Sequence, residues 1–325
     1  MENCFRCAIL QFVWLLLTDA AGASNFAAVQ RLLRSDTVSQ QALMLQRVPF
    51  LVEREVGGGC ALPALQVLGR ETAGGFGALG GVYVGVAPSV RDVVFGETAK
   101  LGEFLRRQRG GLYFQALMNV SAAALLDRHC APPAALDDGA LMRCLGPRDH
   151  AKLLASYGWR ALFVGPGAAA AAPTGMPLHT DMLLTHTWSA QAAGEKSYRF
   201  CPPDAISTAA LRTMVAADGV TLNHSLFGAV SALVRSSSCL SARARRGELA
   251  YWPSEWWHES RNTGAGPSIS YSGMHVDDGI KFGFGRDIMA AMEAGDMDRQ
   301  LIRSFLRCLR LDEDEAAVDE EEELR

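Results

Sequence analysis

Short runs of alternating apolar and polar residues, punctuated by glycine and proline, fill the chain from Met176 onward. "LHTDMLL" alternates as a half-buried strand does, and "TWSAQAA" continues it. Gly194-Glu195 predicts a hairpin turn, with "KSYRF" as the returning strand before Pro202-Pro203. "GELAYWPSEWWHESRN" predicts two strands and "SISYSGMHV" another, while Asp204 to Arg246 predicts helix and loop. Upstream, "VPFLVERE" (Val48 to Glu55) predicts a strand. "KLGEFLRRQRGGLYFQAL" predicts a short helix, a break at Gly110-Gly111 and a strand through Tyr113 and Phe114. "ALDDGALMRCLG" and "DHAKLLASYGW" predict short helices and loops, "RALFVGPG" a strand ending in a turn, and Ala168 to Pro173 a connector. Helical apolar spacing returns from Ile288 to Leu309, interrupted at Gly295. Helices at both ends around short strands predict an α+β fold with a mostly antiparallel core. No internal repeat or interdomain linker is visible. The expected organisation is a leader over 1–23, one folded domain over 24–285, C-terminal helices over 286–311 and a disordered acidic tail over 312–325.

Composition narrows the class. Of 325 residues, 49% are hydrophobic and 20% charged, which is ordinary for a globular protein. The formal net charge of −4 gives no specific nucleic-acid signal. Asp312 to Glu323 ("DEDEAAVDEEEE") carries nine carboxylates and no cation, the mark of a solvated tail or of a docking element for a basic partner. Eight cysteines are scattered, with "CFRC" at Cys4 and Cys7 the one close pair; no disulfide framework is visible, so reduced thiols are expected. The apolar run Ala8 to Leu17, followed by "TDAAGAS", is similar to a secretory signal peptide, and a buried first helix is the alternative. The run is too short to span a bilayer, and no other segment reaches transmembrane length. The compartment stays open between nucleus or cytoplasm and, with a signal peptide, the secretory pathway.

The stretch "TGMPLHTDMLLTHTW" (Thr174 to Trp188) concentrates His179, Asp181 and His186 in apolar surroundings. On a strand, residues two apart share a face, so His179 and Asp181 project together. An imidazole and a carboxylate can fill adjacent positions on one metal, and a second imidazole completes a 2-His-1-carboxylate set suited to iron(II). His258, 79 residues beyond His179 in "WWHESRN", is the candidate. His186 lies five residues beyond Asp181, so strand parity turns it away and leaves it a structural or supporting role. His129, His150, His224 and His275 are read as ordinary structural or surface residues.

Two blocks together resemble the JmjC, or cupin-like, family of iron(II)- and 2-oxoglutarate-dependent oxygenases. The first is "ALFVGPG" with "TGMPLHTDMLLTHTWSAQAAGEKSYRFCPP"; the second is "GELAYWPSEWWHESRN". A weaker upstream match is "LGEFLRRQRGGLYFQALMN", and the resemblance spans about Leu43 to Met274. The spacing from Asp181 to Lys196 is similar to a lysyl-hydroxylase branch, whereas "LYFQALMN" looks more like an asparaginyl-hydroxylase branch.

The resemblance implies a double-stranded β-helix (jelly-roll, cupin) core with His179, Asp181 and His258 as both catalytic residues and metal ligands. It implies Fe(II), 2-oxoglutarate as cosubstrate and O2, with a protein or peptide side chain hydroxylated or N-demethylated and succinate and CO2 released. Lys196 matches the lysine that anchors the distal carboxylate of 2-oxoglutarate, and Tyr113 a tyrosine that joins it. Asn262 matches a position that orients bound groups or serves structure. Met176 stands where the family often has a cosubstrate-binding threonine, with Thr174 or Thr185 as a replacement hydroxyl, and Ser189 stands where an asparagine is common. In related hydroxylases paired C-terminal helices form a homodimer; Ile288, Met289, Met292, Leu301, Ile302, Phe305 and Leu309 offer that face here, with packing inside the chain as the alternative. The rival functions are a non-catalytic JmjC-like protein-binding module and a cupin metalloenzyme that does not use 2-oxoglutarate.

Overall fold

The computed structural model describes residues 26–53, 84–86, 94–97, 114–117, 120–157, 159–167, 174–176, 178–181, 183–207, 227, 238–293 and 298–311. Tyr113, the Gly110-Gly111 break, the connector 168–173, the apolar run 8–17 and the acidic tail lie outside these residues.

The chain is α+β, as the strand and helix patterns predict. Its strands are β1 (Ala27–Ala28), β2 (Gln30–Leu32), β3 (Phe50–Val52), β4 (Val84–Val86), β5 (Val94–Glu97), β6 (Phe114–Leu117) and β7 (Arg160–Gly165), then β8 (His186–Ala193), β9 (Glu195–Cys201), β10 (Leu240–Arg245), β11 (Leu249–Trp252), β12 (Trp257–Asn262) and β13 (Ser268–His275). The described helices are α1 (Thr37–Leu45), α2 (Val120–Cys130), α3 (Gly139–Tyr157), α4 (Lys281–Glu293) and α5 (Arg299–Leu309). Two sheets form, a four-stranded one in the order β1-β10-β9-β12 and a nine-stranded one in the order β2-β3-β11-β8-β13-β7-β6-β4-β5. Both are antiparallel apart from the β1–β10 and β2–β3 pairs.

From β8 to β13 the chain crosses between the sheets at every connection but β9 to β10, and this changes the reading at Gly194. The predicted hairpin is absent: β8 pairs with β11 and β13, whereas β9 pairs with β10 and β12. Gly194 is therefore a corner that passes the chain from one sheet to the other. It sits at φ +69°, and a Cβ there would run into the backbone of Pro267, so glycine answers both demands. Pro253 and the turn after it make a second crossing between β11 and β12.

The predicted strand "LHTDMLL" is shorter than its alternation suggests. Thr174, Met176 and His179 exchange backbone hydrogen bonds with Asn262, Ser260 and His258 of β12, and the chain then turns at Leu183 and Leu184, both with positive φ. At Gly175 a side chain would collide with the Ser260 carbonyl, so this segment lies closer to β12 than any other residue type permits. The helix-and-loop expectation for Asp204 to Arg246 also needs correction, because Leu240–Arg245 is strand β10. "ALDDGALMRCLG" and "DHAKLLASYGW" join into α3, kinked at Gly146 (φ +75°) where Pro147 restarts the helix.

The C-terminal helices close the core from outside the nine-stranded sheet. Phe284 and Ile288 of α4 and Leu301, Ile302 and Phe305 of α5 are fully buried in one core cluster with Trp159, whose ring lies 6.1 Å from that of Phe284 and 5.7 Å from that of Phe305. These residues pack inside the chain, the alternative to a dimer face, while Met289, Met292 and Leu309 stay half-buried. Asp298 caps α5 through the Leu301 N–H at 3.0 Å.

The expectation of reduced thiols is also overturned. Cys144 of α3 is bonded to Cys308 of α5, Cys201 to Cys239, and Cys130 is disulfide-bonded as well. Cysteine positions 164 residues apart in sequence leave no spacing signal, and only the packing of α3 on α5 brings them together.

Candidate metal centre

The antiparallel bridge between His179 and His258 places two imidazoles side by side, with ring centroids 4.0 Å apart. Asp181 follows two residues after His179. Its Oδ1 lies 3.7 Å from Nε2 of His179 and 3.7 Å from Nε2 of His258. The three ligand atoms lie within 4.8 Å of one another, so the group can hold a metal ion. Three donors about 2.1 Å from one ion would sit ~3 Å apart, so the two 3.7 Å separations from Asp181 need to close by under an ångström. A nitrogen, nitrogen, oxygen set fits a borderline divalent metal.

Each ligand is oriented by a second contact. Nδ1 of His258 faces the Trp256 carbonyl at 3.0 Å; an N–H donated there leaves the Nε2 lone pair pointing at Asp181. Oδ2 of Asp181 accepts from the Thr187 hydroxyl at 2.6 Å and the Trp252 indole N–H at 2.7 Å, which leaves Oδ1 toward the histidines. The Trp252 ring lies 4.8 Å from the His258 ring and packs on Tyr198 and Phe200, giving the group one apolar wall.

Protonation favours a cation. Burial, then the neighbouring His179, pushes His258 down to about 4 against the pull of Asp181, so its imidazole is neutral at pH 7. Burial opposes ionisation of Asp181, but His258, His179 and the bonds from Thr187 and Trp252 outweigh it and hold the carboxyl below its ordinary value.

Lys196 of β9 lies on the same sheet face. In the β9–β12 register Phe200 faces His258 and Lys196 faces Asn262, and residues two apart along each strand share a side. Lys196 is thus four residues along from the metal row, roughly 13 Å by strand rise. It is 3% exposed, its Nζ bonds the Ser270 hydroxyl of β13 at 2.7 Å, and burial pushes it down to about 7. Between the lysine and the metal row, Tyr198 donates to Ser189, which also accepts from Ser272 at 2.8 Å.

The other predicted residues separate. Asn262 donates to Thr174 Oγ1 at 2.9 Å and to the Pro166 carbonyl at 3.2 Å, while its buried Oδ1 has no hydrogen-bond partner among the described residues. Thr174 is engaged there, and Thr185 is buried just before β8; Thr187 places its hydroxyl on Asp181 of the metal group. His186 stays outside the group. Its Nδ1 accepts from the Ser254 N–H at 3.0 Å and its Nε2 lies 3.3 Å from Asp277, so it braces the turn between Trp252 and His258. His275, read as ordinary, is buried beside His186 at 6.3 Å. Thr187, Trp252 and Ser270 were missed because no spacing marks them: each joins the site through register. A cavity of about 310 Å³ on the opposite face of the four-stranded sheet, lined by Arg31, Ser197, Arg199, Phe227 and Arg243, is separate from the metal group.

Compared with protein-family models and with curated proteins, the chain matches none. Among the described residues no helix is long and apolar enough to cross a membrane.

Proposed function

We propose that the chain is an Fe(II)- and 2-oxoglutarate-dependent oxygenase of the JmjC type that hydroxylates, or N-demethylates, a protein side chain. The observation that carries this reading is the meeting of His179, Asp181 and His258 on the same sheet face as buried Lys196. A structural zinc site closes its coordination with four protein ligands, whereas this group supplies three and leaves positions for exogenous ligands.

The strand order supports a double-stranded β-helix. Taken as eight strands, the sheets read β11-β8-β13-β7 and β10-β9-β12 with the Thr174–His179 segment at its edge, and the chain crosses between them at each connection except β9 to β10, which are neighbours in one sheet. In such a barrel Lys196 takes the distal carboxylate of a dicarboxylate whose other end binds the metal. A buried ammonium held near 7 gains from that carboxylate, because the pair restores its charged form. The chain's own groups orient and exclude: Trp252 and Thr187 fix Asp181, Trp256 fixes His258, and Tyr198, Phe200 and Trp252 keep water from the inner face. When bound, the metal and 2-oxoglutarate supply an oxidant made from O2, with succinate and CO2 as the co-products.

Incubation of the protein with iron(II), ascorbate and 2-oxoglutarate, with and without a peptide library, tests this. Metal-dependent succinate release and a peptide mass gain of one oxygen, or loss of a methyl group, are expected. No succinate under any of these conditions would sink the reading.

A further inference from the structure

We propose that the Cys201–Cys239 disulfide positions the metal ligands, so that the chain holds its metal tightly only in the oxidised form. This rests on the metal reading of His179, Asp181 and His258.

One cross-strand row carries the argument. Leu240 of β10 faces Phe200 of β9, Phe200 faces His258 of β12, and His258 is bridged to His179. Two of the three ligands therefore lie in the row that also holds Phe200 and Leu240. Cys201 and Cys239 are the residues next to Phe200 and Leu240, both fully buried, and their bond ties β9 to β10 at this end of the sheet. Cys201 also faces Trp257, the residue before His258. Phe200 packs on Trp252 at 5.8 Å, and Trp252 contacts both Asp181 and His258. A tether at Cys201 thus reaches every ligand through one layer of packing.

The need for a tether at this end of the sheet comes from connectivity. The chain leaves β9 at Cys201 and re-enters β10 at Leu240, the two cysteines standing 38 positions apart, so the bond closes this connection covalently beside the ligands in addition to the β9–β10 pairing. Cys144–Cys308 joins α3 to α5 and touches neither strand of the row, which makes it an internal control. Reduction by a dithiol delivers two electrons and two protons to the cystine, giving thiols at Cys201 and Cys239 and the oxidised dithiol. Such a bond persists in an oxidising compartment, and the proposal places the working protein there.

Cobalt(II) titration of the full chain, followed by absorbance, tests the inference on wild type, Cys201→Ser/Cys239→Ser and Cys144→Ser/Cys308→Ser. Both double variants should lose thermal stability, but only the first should bind cobalt at least tenfold more weakly. Cys201→Ala/Cys239→Val, which fills the space without the bond, should be weakened alike. Equal weakening in both cystine variants, unchanged affinity in the first, or full rescue by the Ala/Val pair overturns the proposal. So does failure of both 201/239 variants to fold by circular dichroism, since the bond would then carry the whole fold. A wild type that binds no cobalt overturns the metal reading itself.

Discussion

The indole N–H of Trp252 donates to Oδ2 of Asp181 at 2.7 Å while the same ring lies 4.8 Å from the imidazole of His258. One side chain thus holds two ligands from different segments. It does so from β11, in the sheet that faces β12.

Trp252→Phe keeps most of the ring and removes the donor. Partners of this kind typically contribute 10–100-fold to metal affinity, so a loss of about tenfold is expected, with little change in fold. Thr187→Val should do the same through the other bond to Oδ2, and the two losses should not add, since both fix one carboxylate. Metal titration checks both.

The buried histidines set the acid limit of stability. His258 and His275 are both pushed down to about 4, chiefly by burial, against an unfolded value of about 6.5. As pH falls from about 6.5 toward 4 the unfolded chain takes up protons that the folded one refuses. Stability is therefore fully present above about 6.5 and is lost below it, by on the order of 3 kcal/mol per group at the limit. Denaturant titrations of the metal-free protein at pH 7.0 and 4.5 should show the loss, and His275→Phe should reduce it.

Lys196→Met should separate metal from cosubstrate. Its ammonium is held near 7 against about 10.4 when unfolded, so its contribution to stability is present above about 10.4 and lost as pH falls to about 7. Methionine removes that burden, and the variant should be at least as stable as wild type at pH 7. Metal affinity should stay within about twofold, while binding of 2-oxoglutarate should weaken roughly 100-fold.

A buried network ties the helices to the sheet. Asp138 accepts from Arg160 and from the Trp159 indole, each at 2.6 Å, and its ion pair with Arg160 is 4% exposed on both sides. Asp138→Ala removes the closer carboxylate of a buried guanidinium, leaving Asp127 at 3.5 Å, and should cost about 3 kcal/mol. Disrupting Arg245–Glu195, where Arg245 is 67% exposed, should cost under ~1 kcal/mol. Chemical denaturation of the two variants measures the contrast.

Much of the centre was legible because its chemistry is local. His179 and Asp181 stand two apart, and "WPSEWWH" delivers His258 on a strand, so ligand type and strand parity were enough to select them. Gly194 was misread because a hairpin turn and a sheet-crossing corner use the same glycine between the same two strands; only the pairing of β8 and β9 with different partners separates them. The turn at Leu183 and Leu184 was invisible, since leucine carries no signal for positive φ. Disulfide pairing and the donors on Asp181 depend on contacts between residues far apart in sequence, which periodicity does not encode.

The central claim is tested most directly by titrating 2-oxoglutarate into the oxygen-free protein with and without iron(II). The account predicts binding that requires the metal, vanishes in Asp181→Ala and weakens in Lys196→Met while that variant keeps its metal. Binding that is equally strong without metal, or none with it, would contradict the account.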